Sequence, residues 1–263
     1  MALTVGYIGG GRIPRIVLGG WRRAGCWPAR VVVSDVDASP LESLRLAFPE
    51  LVVSQGDNQA PAGMEVVLLA VHPPVMRTVL AEIRGRIPAE SLVVSLAPKL
   101  TITDITAALG GFSRLARLIP NAPSIVGAGF NPVSFGPTLP ARDRQALRDL
   151  MAPLGAMPEV AEPDLESYAV LTGMGPTYLW FQLYELLAIA EGFGLEKPAA
   201  AAALHAMVDG TLRTMIQSGL APVDLMDLVP VKPLSEDEQL FKSAYRSRLK
   251  AVLDKIRPAV ITT

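Results

Sequence analysis

Short apolar runs alternate with longer segments of helical spacing through the first half of the chain. Residues 4–8, 30–34, 65–71 and 91–96 are rich in valine, isoleucine and leucine and are bounded by turn residues. Runs of this kind form strands buried on both faces of a parallel sheet. Between them, 13–24, 40–48, 74–83 and 101–109 show helical spacing or a proline near the start, which a first helical turn accepts. This alternation predicts a doubly wound α/β sheet with right-handed crossovers. Shorter apolar pieces at 114–118 and 132–135 extend the sheet, and 139–150 reads as one more surface helix. Beyond about residue 160 the β-branched runs give way to long helical patterns at 178–192, 197–218 and 236–256. The expected plan is an α/β domain over 1–160 followed by an all-helical domain over 161–263. No internal repeat or low-complexity linker interrupts it.

Composition narrows the partners. The 24 basic and 25 acidic residues leave a net charge of −1. No cationic excess is available for counterion release on a polyphosphate, so nucleic acid is not an expected partner. Half of the residues are hydrophobic, enough to offset the entropy of ordering the chain. Two histidines and one cysteine are too few for a Cys/His zinc site, and no metal is expected. The single cysteine, Cys26, excludes an intrachain disulfide and fits a reducing compartment. The chain enters its first strand without a basic stretch ahead of an apolar run, which argues against a secretory signal. Residues 167–184 are uncharged and long enough to raise the question of a membrane. Thr172-Gly173-Met174-Gly175-Pro176-Thr177 interrupts them, so a helix buried in a core or a dimer interface is the better reading. A cytoplasmic protein without membrane contact is expected.

The first strand runs into Gly9-Gly10-Gly11-Arg12-Ile13-Pro14. This meets the G-x-G-x-x-G/A pattern at Gly9 and Gly11, with Pro14 where the third small residue belongs. The first glycine serves the tight turn, and the second lets backbone N–H groups at a helix N-terminus reach a pyrophosphate. The loop follows a strand, opens a helix and begins the β–α series, which is the context the fingerprint requires. A Rossmann-type dinucleotide site follows. Asp35 ends the second strand near the ~20-residue spacing of the acid that binds the adenosine ribose hydroxyls. A carboxylate there repels a 2′-phosphate, which favours NADH over NADPH. Arg12 or Arg15 still lies within reach of a phosphate, and a solvated strand-end acid is the plainer alternative.

Four ordered segments resemble pyrroline-5-carboxylate reductase. Val66-Val67-Leu68-Leu69-Ala70-Val71-His72-Pro73-Pro74 looks like that family's "VVLAVKPQ", with His72 at the lysine position. Ser95-Leu96-Ala97-Pro98-Lys99-Leu100-Thr101 is similar to "SIAAGVT", with Lys99 at the glycine. Arg117-Leu118-Ile119-Pro120-Asn121-Ala122-Pro123, with Val126-Gly127-Ala128-Gly129, looks like "RVMPNTPA.VG.G". Thr172-Gly173-Met174-Gly175-Pro176-Thr177-Tyr178 resembles "SGSGPAY". The family's "SPGGTT" substrate loop is absent: the matching place reads Val229-Pro230-Val231-Lys232-Pro233-Leu234-Ser235-Glu236-Asp237-Glu238. Ser235 as N-cap with acids in the first turn suits a helix start there.

The resemblance implies hydride transfer from reduced NAD(P)H to a cyclic C=N bond. It also implies a helical dimerisation domain through which a homodimer forms and which completes the partner's active site. By position, Gly9, Gly11, Arg12, Ile13, Asp35, Asn58, Ala70, His72, Pro73 and Ala97 line the cofactor, and Pro120 and Asn121 shape its nicotinamide end. Thr172, Gly173 and Thr177 lie near the substrate.

Among candidate catalytic residues, His72 follows a strand's carboxyl end and is suited to donating a proton near neutral pH. It equally suits packing on the cofactor ribose or capping the next helix. Lys99 ends the following strand and suits an anionic substrate, or is a plain loop lysine. Lys232 reads as a solvated loop residue, and His205 as packed or at the surface. Tyr178, Trp180, Phe181 and Tyr184 read as core or interface, and Cys26 has no assigned role. The expected activity is reduction of a small, cyclic imine, with His72, Thr172 and Lys99 as the catalytic candidates. A dehydrogenase acting on a small hydroxy or cyclic acid, and a silent dinucleotide-binding sensor or scaffold, are the alternatives.

Overall fold

The computed structural model describes residues 3–258. Its main sheet runs in spatial order from residues 52–55 through 30–35, 4–8, 66–69, 92–95 and 115–118 to 133–135. The strands are β1 (Thr4–Ile8), β2 (Arg30–Asp35), β3 (Val52–Gln55), β4 (Val66–Leu69), β5 (Leu92–Ser95), β6 (Leu115–Leu118) and β8 (Val133–Phe135). The first six pair in parallel, and β8 runs antiparallel to β6 with Arg117 opposite Ser134. A separate two-residue pair, β7 (Gly129–Phe130) with β9 (Gly155–Ala156), lies outside this sheet. All of β4, β5 and β6 is buried, as strands covered on both faces require.

Side-chain alternation divides the core between the two faces. Val5, Tyr7, Val33, Val66, Leu68 and Val94 pack with Val17, Leu18 and Trp21 of α1 (Arg12–Ala24) and with Leu147 and Met151 of α6 (Ala141–Met151). Leu41 and Leu44 of α2 (Ala38–Ala47) join the same cluster. Ile8, Val67, Leu69 and Val93 pack on the other face with Met76, Leu80 and Ile83 of α4 (Pro73–Ile83) and Ile105 of α5 (Ile102–Ala108). The short α3 (Gln59–Ala62) lies between β3 and β4 in the chain.

The structure adds to the sequence reading at two points and corrects it at a third. β3 was not anticipated: it is a four-residue edge strand with exposed ends, so it lacks the apolar run that marks a buried strand. The sheet is not wholly parallel, because β8 returns antiparallel. Finally, the last long helix begins at Glu238, so Ser235 is not its N-cap; Pro233–Asp237 form turns first.

Past β9 the chain forms α7 (Leu165–Tyr168) and then a π-helical turn, Ala169–Gly173, with Met174 N–H donating to the Ala169 carbonyl. The uncharged stretch is therefore broken where its glycines and proline stand. No described helix is long and apolar enough to cross a membrane. The chain divides into two compact units, one running to Met174 and resuming at Val252, the other Gly175–Ala251. The expected boundary near 160 falls before α7, which belongs to the first unit. Ile256 packs there with Ile119, Leu165 and Ala169.

The second unit contains α8 (Pro176–Gly192), α9 (Lys197–Gln217), α10 (Pro222–Asp227) and most of α11 (Glu238–Ile256). Tyr178 and Tyr245 meet edge-on at 6.1 Å, and the Gln182 amide donates to the Tyr245 hydroxyl at 3.0 Å. Burial and the neighbouring Tyr245 both push the Tyr178 hydroxyl pKa up. Even so, Phe181 is 66% exposed, Tyr184 72% and Phe193 85%.

Candidate functional site

A crevice of about 540 Å³ opens at the carboxyl ends of β1, β2 and β4, where the strand order reverses between β1 and β4. Open α/β sheets bind ligands at such switch points. Gly9 and Gly11 line it together with Asp35, Asp37, Asn58, Ala70 and His72.

The loop is built for close backbone approach. Gly9 has φ +105°, and a Cβ there would fall 2.6 Å from the Ala70 carbonyl oxygen. Gly11 is the N-cap of α1, and a Cβ on it would meet no atom within 4 Å. No side chain caps α1 and no acidic residue stands in its first turn, so its free N–H groups and positive dipole end suit a pyrophosphate. Pro14 is buried and tolerated in the first turn, where no intrahelical N–H is needed. The close packing for which a third small residue would serve falls instead to Gly20. Its Cβ would lie 2.6 Å from the Ser124 carbonyl oxygen, in the 3-10 turn Ala122–Val126 that α1 packs against.

Asp35 closes the loop from the β2 side. One carboxylate oxygen accepts from the Gly10 N–H at 2.7 Å and the other from the Asp37 N–H at 3.0 Å. Asn58 accepts from the Ser34 hydroxyl at 2.7 Å and donates to Glu82 at 2.6 Å. These residues fit the diphosphate and ribose of a dinucleotide. Arg12 and Ile13 occupy the first two positions of α1, outside the lining of the crevice.

His72 lines the crevice from the N-cap position of α4, with Pro73 as the first helical residue. Its side chain makes no capping hydrogen bond, so of the roles expected for it, capping is not the one the structure supports. Ala97 is buried just past β5. Lys99 is exposed and stands at φ +85°, the single described non-glycine residue with positive φ. Its N–H donates to Glu166 at 3.1 Å.

Asn121, buried past β6, donates to the Thr172 carbonyl at 3.3 Å and accepts from the Phe130 N–H at 3.1 Å. The Thr172 hydroxyl itself donates to the Tyr168 carbonyl at 2.9 Å, within its own turn. His72 thus lies in the crevice, whereas Lys99 and Thr172 are tied to the 165–173 segment outside its lining. Among the described residues no group of three or more His, Cys, Asp or Glu is placed to hold a metal ion.

The sequence reading missed two features. Val75, Thr78, Val79 and Glu82 present one face of α4 to the crevice, and their spacing of three, four and seven was a legible signal. The other is a buried charge network. Arg117 on β6 donates to Glu162 at 3.0 Å and to Glu166 at 2.5 Å, with both Arg117 and Glu166 1% exposed. Glu162 also accepts from the Ile102 N–H at 2.6 Å. One guanidinium thereby fastens the loop after β5 to α7 and the turn before it.

A doubly wound sheet with a glycine loop at its switch point and a helical second unit define a dinucleotide-binding protein of the oxidoreductase type. Residues 4–99 match a family model described as NADP oxidoreductase coenzyme F420-dependent. The pyrroline-5-carboxylate reductase of Corynebacterium melassecola is 29% identical over 226 residues, 84% of this chain and 83% of its own length. The structure of a pyrroline-5-carboxylate reductase from Coxiella burnetii is 27% identical with a TM-score of 0.68, covering 97% of this chain and 95% of that one. A pyrroline carboxylate reductase of Plasmodium falciparum with NADP bound shares the fold at TM-score 0.80 and 18% identity, covering 97% of both chains. The chain is thus similar to pyrroline-5-carboxylate reductases over most of its length, as its ordered motifs anticipated.

Proposed function

We propose that this protein is an NAD(P)H-dependent oxidoreductase that reduces the C=N bond of a small, cyclic imine. The observation that carries this reading is the switch-point crevice, whose loop, strand-end acid and His72 stand in a chain similar to pyrroline-5-carboxylate reductases over most of its length. The relatives support the enzyme over a silent sensor. When bound, the reduced nicotinamide supplies the hydride; the chain's own residues orient and protonate.

Gly9, Gly11 and the first turn of α1 hold the diphosphate, and Asp35 takes the adenosine ribose. Asn121, held by the Thr172 carbonyl, shapes the nicotinamide end. The imine nitrogen gains one proton for each hydride the carbon accepts, and His72 is placed at the crevice to hold that proton. Lys99 is the cation for an anionic substituent of the substrate: a non-glycine residue kept at positive φ by a buried carboxylate fits a functional constraint. Asp35 favours NADH over NADPH.

Gly175–Ala251 is the homodimerisation unit. The support is physical: α8, α10 and α11 have no fully buried residue among those described, and α9 has Ala200 only. Large apolar side chains left in water are stabilised by a second copy. A cytoplasmic location is consistent with the single free cysteine.

Oxidation of NADH and NADPH against pyrroline-5-carboxylate, its six-membered homologue and imines without a carboxylate tests the reading. Turnover of at least one imine is expected, with kcat about 10²-fold lower in His72→Asn. Dinucleotide binding without turnover across the panel would overturn it in favour of the sensor.

A further inference from the structure

The adenosine end of the crevice carries three carboxylates. Asp35 ends β2, Asp37 follows it, and Glu82 stands in the last turn of α4; all three line the crevice. Among the described residues, His72 is the one side chain of basic type that lines it, and neither lysine nor arginine does. His72 and Glu82 lie ten residues apart, at the N-cap and in the last turn of α4, ~15 Å along the helix. The histidine and the glutamate therefore mark opposite ends of the cleft.

We infer that Glu82 is a specificity-determining residue, which selects a free 2′-hydroxyl on the adenosine ribose and rejects a 2′-phosphate. This rests on the dinucleotide reading above and adds a residue from α4 to the strand-end acid. Two effects combine. Glu82 draws one amide hydrogen of Asn58 into a 2.6 Å bond, while the Asn58 carbonyl oxygen accepts from Ser34. The amide is thus held facing Glu82 and has a single donor left for a ligand. The glutamate also adds a third negative charge where a phosphate dianion would sit, in a partly enclosed cleft that screens charge less than open water. A 2′-hydroxyl suffers no such repulsion and finds carboxylate acceptors instead.

The test compares the affinity of the full-length protein for NADH and NADPH at fixed, low ionic strength. The quenching of intrinsic fluorescence or the enhancement of nucleotide fluorescence gives each Kd. For the wild type, NADH is expected to bind about tenfold or more tightly than NADPH. In Glu82→Gln the amide oxygen still accepts from Asn58 but the charge is gone, so the ratio should fall about threefold. In Glu82→Lys it should fall about tenfold or invert.

Equal affinity of the wild type for the two dinucleotides, or a ratio unmoved in both variants, overturns the assignment of Glu82 and leaves the dinucleotide site standing. Failure of the wild type to bind either dinucleotide overturns the site reading itself, and this inference with it. A ratio unmoved in Glu82→Gln, which keeps the Asn58 contact, but lowered in Glu82→Lys, which loses it, would assign the effect to Asn58 geometry and so would overturn the charge argument.

Discussion

The two compact units use apolar residues in opposite ways. In the first, strands of valine and leucine are covered on both faces, and even Trp21 is buried to 0% exposure with its indole N–H donating to the Leu150 carbonyl at 2.8 Å. In the second, helices of comparable apolar content leave Phe181, Tyr184, Phe193 and Ile216 more than 60% exposed. A sheet with helices on both faces closes its own core here, whereas α8 to α11 bury no described residue fully except Ala200. The contrast teaches that hydrophobicity in this chain has two destinations, an internal core and an exposed apolar surface on the second unit, to which the proposed dimer contact is assigned.

The largest test of the self-sufficient unit strikes its buried charge. Arg117→Met leaves Glu166 buried without a counter-charge and should cost ~3–5 kcal/mol, seen as a lowered midpoint in chemical unfolding. Adding Glu166→Leu should recover a substantial part, because the stranded charge goes with it. A single variant as stable as the wild type would show that the network is not structural.

A charge on the apolar face should break the other half of the contrast. Phe181→Asp is expected to weaken the dimer about hundredfold, roughly 2.7 kcal/mol, by light scattering over a dilution series. A wild type that is monomeric at micromolar concentration would remove the second unit's proposed role.

Gly9→Val sharpens the comparison at the site itself. The side chain must adopt φ +105° against the Ala70 carbonyl, which costs ~1–3 kcal/mol of stability and should weaken NADH binding at least about tenfold. Retained affinity would mean that the loop does not hold the diphosphate.

The smallest effect concerns Tyr7, whose hydroxyl is fully buried and has no hydrogen-bond partner among the described residues. Burial pushes its pKa well above the ordinary 10.0. A phenol that resists ionisation in the folded state contributes stability that is complete below pH 10 and is lost as the pH rises beyond it. Tyr7→Phe should therefore flatten the alkaline loss of stability. Near neutrality it should be neutral or stabilising by up to ~1 kcal/mol. A steeper alkaline loss in the variant would contradict this account.

Much of the first unit was legible from residue order. The apolar run at 4–8 is β1 residue for residue, and the helix expected over 13–24 begins one position earlier. Continuous β-branched runs have few alternatives to a buried strand, which is why those boundaries came out well. β3 was missed because an edge strand carries no such run. The glycine loop and Asp35 were legible for a similar reason: tight turns and strand-end acids are local devices with fixed spacing. Arg117 belonged to a recognised motif, yet its role was hidden, since its partners lie 45 and 49 residues away.

Sequence alone determined the β–α alternation, the dinucleotide loop, the acid after β2 and the likeness to pyrroline-5-carboxylate reductases. All of these depend on neighbours within a few residues or on motifs kept in order. Only the tertiary structure decided that Glu82 lines the same crevice as Asp35, that Lys99 is held by Glu166, and that Asn121 reaches the Thr172 carbonyl. Those facts rest on contacts between segments distant in the chain. Their geometry is set by how strands order in the sheet and how helices seat on it, and no local pattern encodes that.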